Sequence, residues 1–401
     1  MRIEKYKWKM DAQSPVMFMI DDFANVWVDK NKNNKLDTGE DWGHFCKDSN
    51  SMWDILEKNI FTQFPEVKTT LFTVVGKRAP IINSKKKIYS ATILQDDKFV
   101  DFLNEINKSK NIEIAYHGVT HGITGINRFG FKEEWETFNS LEEAIENIET
   151  GKEILYKAIG EYPKGGKYCG YKYNEFSDES ICKTGFLWWC RHWDAQLEEV
   201  KDNSIYNYEN YELEKFYDVV DIPSTIDGSF YSLKDYSKFF SKKYFKTIYK
   251  KIREGKTIES LIDHRIKNGQ IISIQEHSSP FRADNRIQYP NIVSDLNNLK
   301  YIFSYLKKYN LWYATGTEIA EYYLAYKTTS IKVIDENNFV LDIDKNIEGK
   351  ELTISINRKN MSSDIIKLVT PKENFILNKI ESQYKGTIRV YNHVQYSIQE
   401  E

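Results

Sequence analysis

Short apolar runs alternate with longer amphipathic stretches over residues 16–323, and this alternation constrains the fold more than any other feature of the chain. Runs at 16–20, 70–75, 112–116, 186–193, 219–222, 271–274 and 311–314 have the length and side-chain character of buried strands. Between them, 52–61, 99–106, 141–159, 231–262, 295–309 and 317–323 repeat apolar residues every third or fourth place, as helices with one buried face do. Strands that alternate with helices form a mainly parallel sheet, and about seven such units favour closure. The expected class is α/β, a distorted (β/α)7 barrel. From residue 327 onward the pattern changes to short strands at 331–334, 339–343, 352–356, 365–369 and 387–391. The expected division is a barrel domain over 1–326 and an accessory module over 327–401, a small all-β sandwich.

Parallel α/β sheets carry their chemistry at the carboxyl ends of the strands. The run 112–116 ends in His117-Gly118-Val119-Thr120-His121. Two imidazoles four positions apart share one side of a strand or a helix, and neutral imidazole is a common ligand for zinc-like metals. Without a partner the pair reads equally as two polar loop residues. The run 16–20 ends in Asp21-Asp22, which puts two carboxylates in the same strand-end context. The run 271–274 leads into Gln275-Glu276-His277, and 186–193 and 219–222 end near Asp194 and Asp221.

A second motif needs no folding to be seen. Residues 29–40, D-K-N-K-N-N-K-L-D-T-G-E, follow the twelve-position calcium loop. Asp29, Asn31, Asn33, Asp37 and Glu40 supply oxygen side chains at positions 1, 3, 5, 9 and 12, and Lys35 offers its carbonyl at position 7. Asn34 stands where Gly is usual, and Asn tolerates the left-handed conformation of that turn. No amphipathic helix precedes the loop, so the expectation is a structural Ca²⁺ rather than a sensor.

Composition serves mainly to exclude. Fifty-six basic and 59 acidic residues leave a net charge of −3, which gives no electrostatic case for nucleic acid or an anionic membrane surface. No run of about 18 apolar residues exists to span a bilayer. Residues 1–10 are charged and lack an apolar signal core, so the expected location is cytoplasmic. Cys46, Cys169, Cys182 and Cys190 contain no C-x-x-C pair and read as reduced thiols. His44, His192, His264 and His393 have no partner pattern and read as structural. Aromatic residues make up 14% of the chain, which suits stacking on sugar rings as well as an ordinary core.

Taken together, Asp21-Asp22 after an apolar strand, His117-x-x-x-His121, the Lys167-Tyr168-Cys169-Gly170 stretch and the late His277 resemble the polysaccharide deacetylase family over about residues 12–325. The segment 312–323, W-Y-A-T-G-T-E-I-A-E-Y-Y, resembles the end of that domain. The resemblance implies a distorted barrel that hydrolyses N-acetyl amides of carbohydrates with a divalent transition metal, zinc first. It implies Asp22, His117 and His121 as ligands, Asp21 as general base, and His277 as general acid. It places an oxyanion-binding N–H near Tyr168, Lys167 as the residue orienting the base, and Asp194 or Asp221 as a further acid. The chain departs from the family pattern at Phe23, where Gly is usual, and at Lys167 and Cys169, where Arg and Pro are usual. Lys lacks the two-pronged fork with which Arg grips a carboxylate. Without a signal segment, the implied substrate is a nucleotide- or lipid-linked amino sugar or another surface-glycan precursor. Two other readings stay open: a glycoside hydrolase using Asp21 with Asp194 or Asp221, and a catalytically silent glycan-binding protein. Oligomeric state is not legible.

Overall fold

The computed structural model describes residues 1–33, 35–37, 41–45, 51–82, 88–127, 129–193, 213–229, 257–282, 286–358 and 363–400. It divides into two compact units. The larger comprises residues 16–309 and 313–317; the smaller comprises 1–15, 310–312 and 318–401.

The larger unit is built on a curled, mainly parallel sheet. Its centre is the strand Ser14–Phe23, in which all ten residues are buried. A strand covered on both faces has no polar face to present, which is why its sequence is a continuous apolar run rather than an alternation. Thr69–Thr73 pairs with it in parallel on one side and Ile272–His277 on the other. Outward from Thr69–Thr73 follow Ile112–Tyr116, Gly165–Lys167, Trp188–Cys190 and Val219–Asp221, each parallel to its neighbour. The chain then turns the sheet back on itself. The Ser224 N–H donates to the His192 carbonyl (3.1 Å), and the Thr225 N–H donates to the Ser273 carbonyl (3.0 Å). Ile226–Asp227 then pairs in parallel with Ile272–His277. One segment thus bridges both flanks, and the sheet is barrel-like.

Helices follow the strands as their spacing requires. Leu141–Ile159 begins where the Ser140 hydroxyl accepts the Glu143 N–H, and it buries Ala144, Ile148, Leu155 and Ala158 along one stripe. Asp97–Asn107 begins at Asp96, whose carboxylate accepts the Lys98 N–H, and buries Phe99, Phe102, Leu103 and Ile106. The stretch read as one helix at 52–61 is an α-helix over Met52–Leu56 continued by a π-helical turn over Glu57–Phe61. The region 231–262 enters the described residues only at its end, where Ile258–Lys267 is helical.

The smaller unit is antiparallel. Its strands, Arg2–Lys5, Ser330–Val333, Asn338–Asp342, Glu351–Asn357, Ile365–Val369, Asn374–Ile380, Gln383–Arg389 and Gln395–Glu400, are joined in one hydrogen-bonded sheet. Two expectations change here. The module does not begin at residue 327 alone, because Arg2–Lys5 pairs antiparallel with Glu351–Asn357 and brings the amino terminus with it. The strands form one continuous sheet rather than two separate ones. Asn374–Ile380 and Gln395–Glu400 were not legible as strands, because each carries few buried apolar residues, Phe375 and Leu377 in one and Tyr396 and Ile398 in the other. Tyr396 stacks on Phe339 at 5.0 Å and donates its hydroxyl to the Arg389 carbonyl (2.7 Å).

Among the described residues, no helix is long and apolar enough to cross a membrane.

Candidate metal centre and active site

Adjacent residues of a strand point to opposite faces, so Asp21 and Asp22 could not both enter one site from a regular strand. The strand is irregular there. Its register with Thr69–Thr73 shifts between Ile20 and Phe23, and Asp22 has φ +64°. A bulge with a left-handed residue re-aims a side chain, and it turns both carboxylates into the same cavity. His121 is also left-handed, at φ +69°. Two of the three expected ligands therefore occupy backbone conformations that only surrounding structure can hold.

For the histidine loop, that surrounding structure is Glu134. Its buried carboxylate accepts the N–H groups of Val119 (2.9 Å), Thr120 (2.7 Å) and His121 (2.8 Å), and the side-chain amide of Asn147 (2.6 Å). Gly118, at φ +88°, passes so close that a Cβ there would stand 2.6 Å from Glu134 Oε2. A side chain at position 118 would push this clamp away.

Oδ1 of Asp22 lies 2.8 Å from His121 Nε2 and 3.6 Å from His117 Nε2. Nδ1 of His117 meets the Lys167 carbonyl at 2.9 Å. A carbonyl can only accept, so the proton is on Nδ1 and Nε2 presents its lone pair. Nδ1 of His121 faces Glu133 Oε2 at 3.3 Å, the carboxylate–histidine arrangement that orients metal ligands. Asp22 Oδ1 is buried. A buried carboxylate oxygen within 2.8 and 3.6 Å of two imidazole nitrogens makes a donor cluster that fits a cation. The donor set, one oxygen and two nitrogens, suits a divalent transition metal.

The electrostatics agree. Burial works to raise the Asp22 carboxyl, but Arg78, whose Nη2 is 2.6 Å from Asp22 Oδ2, and the two imidazoles outweigh it and hold the group well below the ordinary carboxylate range. Burial lowers His121, so its imidazole stays neutral and able to ligate. Burial, with the Asp22 charge, pushes Glu133 up to about 8. Burial and the carboxylates of Glu134, Glu133, Asp22 and Asp21 push the Cys169 thiol well above its usual range.

Asp21 is held differently. Lys167, fully buried, places Nζ 2.6 Å from Asp21 Oδ2, and Gln275 donates its amide to the same oxygen at 3.1 Å. Lys has no fork, but a second residue supplies the second donor. Oδ1 of Asp21 receives no hydrogen bond. Lys167 is itself fixed by the Ser224 hydroxyl (3.2 Å) and by the Tyr171 ring, 4.5 Å from Nζ. His277 stands in register with Asp21 on the neighbouring strand. Its Nδ1 donates to the Pro290 carbonyl at 2.7 Å, which leaves Nε2 as the other ring nitrogen. Asp21, Asp22, His117, His121 and His277 line one cavity of about 130 Å³, together with Arg78, Phe131, Glu133, Gly170, Tyr171 and Arg282.

Some expectations resolve otherwise. The Tyr168 N–H donates to the Cys190 carbonyl (3.3 Å), so it is spent in the sheet and not offered to an oxyanion. The backbone that reaches the cavity is at Gly170. Asp221 does not line the cavity; it accepts the Arg191 N–H at 3.3 Å. Asp194 and Glu40 lie outside the described residues, as does Cys46. Glu276 points away from the cavity and accepts the Gly228 N–H at 2.7 Å. His44 is structural: its Nδ1 accepts the Ala24 N–H at 3.2 Å and burial lowers it to about 3. Cys169, Cys182 and Cys190 are free thiols. Sequence reading missed Arg78, Glu133, Glu134 and Gln275. Arg78 shares the strand-end signal of the acids, but nothing local marks Glu134.

In the 29–41 loop, Asp29 and Asn31 both accept the Asn33 N–H (3.2 and 3.0 Å), and Asn33 accepts the Lys35 N–H at 2.7 Å. Asp41, buried and one place beyond the motif, accepts the N–H groups of Lys30 (3.0 Å) and Asp37 (2.8 Å). The loop joins Val26–Val28 to Trp42–Gly43, two antiparallel strands, with no helix on either side.

No family model matches this sequence, and no curated protein does. Solved structures do. An allantoinase, PuuE, is 15% identical with a TM-score of 0.44, covering 81% of this chain and 94% of its own. The peptidoglycan N-acetylglucosamine deacetylase Bc1960 is 12% identical at 0.37, covering 77% and 88%. A family 4 acetyl xylan esterase from Clostridium thermocellum, solved with a cobalt ion, is 12% identical at 0.33, covering 76% and 90%. Polysaccharide deacetylases are among the structural neighbours of this chain. Likenesses this distant carry no functional weight.

Proposed function

We propose that this chain is a metal-dependent hydrolase that removes an N-acetyl group from an amino sugar or a surface-glycan precursor. One observation carries the reading: Asp22, His117 and His121 converge on one point, while a second carboxylate, Asp21, stands beside them with a separate cation and one unbonded oxygen. Asp22, His117 and His121 would hold the ion, and zinc suits that donor set. A bound ion supplies Lewis acidity to the amide carbonyl.

The chain's own residues supply the proton transfers. Lys167 and Gln275 grip Oδ2 of Asp21, which leaves Oδ1 to take a proton from the attacking water. Water adds to the amide carbon, the C–N bond breaks, and the leaving nitrogen takes the Nε2 proton of His277 in its doubly protonated form, the proton held by Asp21 being returned through solvent. The His277 ring is oriented for this by its Nδ1–H bond to Pro290. The products are acetate and a free amine. At about 130 Å³ the cavity is smaller than the ~300 Å³ of pockets that enclose drug-sized ligands. It therefore suits an acyl group that enters from a larger molecule, with Phe131 and Tyr171 among the side chains of its wall.

The test is elemental analysis of purified protein with an acetate-release assay on N-acetylated amino sugars. Wild type should carry one transition metal per chain and release acetate; His117→Ala should lose both. A metal-free wild type, or an unchanged metal content in His117→Ala, defeats the reading.

The 29–41 loop is a separate Ca²⁺ site in this proposal, with Asp29, Asn31, Asn33 and Asp37 as side-chain donors and Lys35 through its carbonyl. Its support is the chain of N–H bonds that draws the side-chain oxygens of Asp29, Asn31 and Asn33 onto the backbone of the turn.

A further inference from the structure

We propose that Cys169 is a fourth protein ligand of the metal centre; the assignment rests on the reading of that centre given above. Cys169 Sγ and one ring nitrogen each of His117 and His121 lie within 4.8 Å of one another, and all three residues are buried. Donors bound to one zinc at about 2.0–2.3 Å stand roughly 3–4 Å apart. Small rotations of side chains therefore bring the sulfur and both imidazoles onto a common ion. Asp22 Oδ1 faces Nε2 of the same two imidazoles, His117 and His121, from another strand, at 3.6 and 2.8 Å.

The sulfur is placed by its turn. The Lys172 N–H donates to the Cys169 carbonyl (3.1 Å), and the Cys169 thiol donates to the His117 carbonyl (3.2 Å), a bond that ligation would replace. Gly170 follows at φ +54°, and a Cβ there would stand 2.7 Å from Glu133 Oε1. The turn thus packs Cys169 against the loop that carries both histidines. No disulfide competes for the sulfur among the described residues.

A thiolate changes what the centre selects. One oxygen and two imidazoles accept several divalent ions, whereas an added sulfur favours zinc, cobalt and iron over magnesium and manganese. Binding releases the thiol proton to solvent. A fourth protein donor also fills the position an amide carbonyl needs, so turnover requires a fifth ligand position or displacement of the sulfur.

Cobalt(II) added anaerobically to the metal-stripped full chain tests this. Wild type should bind one cobalt with visible d–d bands and a near-ultraviolet sulfur-to-cobalt charge-transfer band. Cys169→Ser should keep the d–d bands, lose the charge-transfer band, and bind cobalt at least about tenfold more weakly. Stoichiometric cobalt in wild type without the charge-transfer band, or a band that survives Cys169→Ser, overturns the assignment while leaving the three-ligand centre standing. Failure of wild type to bind cobalt, or binding undiminished in His117→Ala, overturns the centre and the assignment with it. If the serine variant does not fold, Cys169→Ala takes its place, and the wild-type spectrum alone still decides whether sulfur is bound.

Discussion

The cavity and the 29–41 loop each gather carboxylates and amide oxygens, but they balance that charge in different ways. In the cavity, Asp21 and Asp22 are answered by cationic side chains from other strands and loops, Lys167 and Arg78. In the loop, Asp29, Asn31, Asn33 and Asp41 are answered by backbone N–H groups of the same short segment. Side-chain cations in a buried site make a network whose members cannot be removed singly at low cost. Backbone donors make a pre-curled loop whose bonds run within one short segment. The first arrangement suits a site where two adjacent acids must do different work; the second suits an ion that only holds a loop.

The largest expected effect follows from breaking the first network. Lys167→Met leaves the Asp21 charge buried with only Gln275, and should cost about 3–5 kcal/mol in denaturant unfolding. Adding Asp21→Asn should recover much of that loss. An independent, additive effect of the two changes would break the contrast between the regions.

The loop should behave as a detachable unit. Calcium should raise the unfolding midpoint, by about 2.7 kcal/mol at a hundred times its Kd, and Asp29→Ala should abolish the rise without altering transition-metal content. A calcium response that disappears in Asp22→Ala instead would show that the two regions are one.

The smallest change per step of the variable, one pH unit, sharpens the role of the cation. Asp221 is less fully enclosed than the cavity acids, and the Arg191 guanidinium stands 3.7 Å away; burial still wins and pushes its carboxyl up to about 7. The native state then keeps a proton that the unfolded chain releases near pH 4. Stability from this group is complete below about pH 4 and declines as pH rises toward 7, by at most about 1.4 kcal/mol per pH unit. Asp221→Asn should flatten that part of the stability profile. Asp22, held low by Arg78 and the imidazoles, contributes in the opposite sense, its share being lost as pH falls below about 4.

Much of the larger unit was legible because its strands are buried on both faces and its helices on one. The strand Ile112–Tyr116 and the helix Leu141–Ile159 stand where the apolar spacing places them. Strands of the smaller unit with only two buried apolar residues, such as Gln395–Glu400, were not. The site divides the same way. His117, His121 and the Asp21-Asp22 pair could be singled out because each follows an apolar run, and the family resemblance implied Asp22 as the ligand of the two acids. Glu134 could not, since a carboxylate clamping three N–H groups resembles any other surface glutamate until the loop wraps it. Which N–H near Tyr168 stays free could not be read, because a strand end does not reveal which donors the neighbouring strand has already taken.

By itself the sequence determined which residues could do chemistry and which runs had to be buried, since both follow from side-chain character and period. Only tertiary structure decided that Asp21 and Asp22 share a cavity, because a regular strand would have sent them to opposite faces and a bulge with a left-handed residue was needed to prevent it. It also decided which acid meets which cation. Arg78 and Lys167 are 56 and 146 positions from their partners, and the charge balance of a buried site depends on distance through space, to which sequence separation is blind.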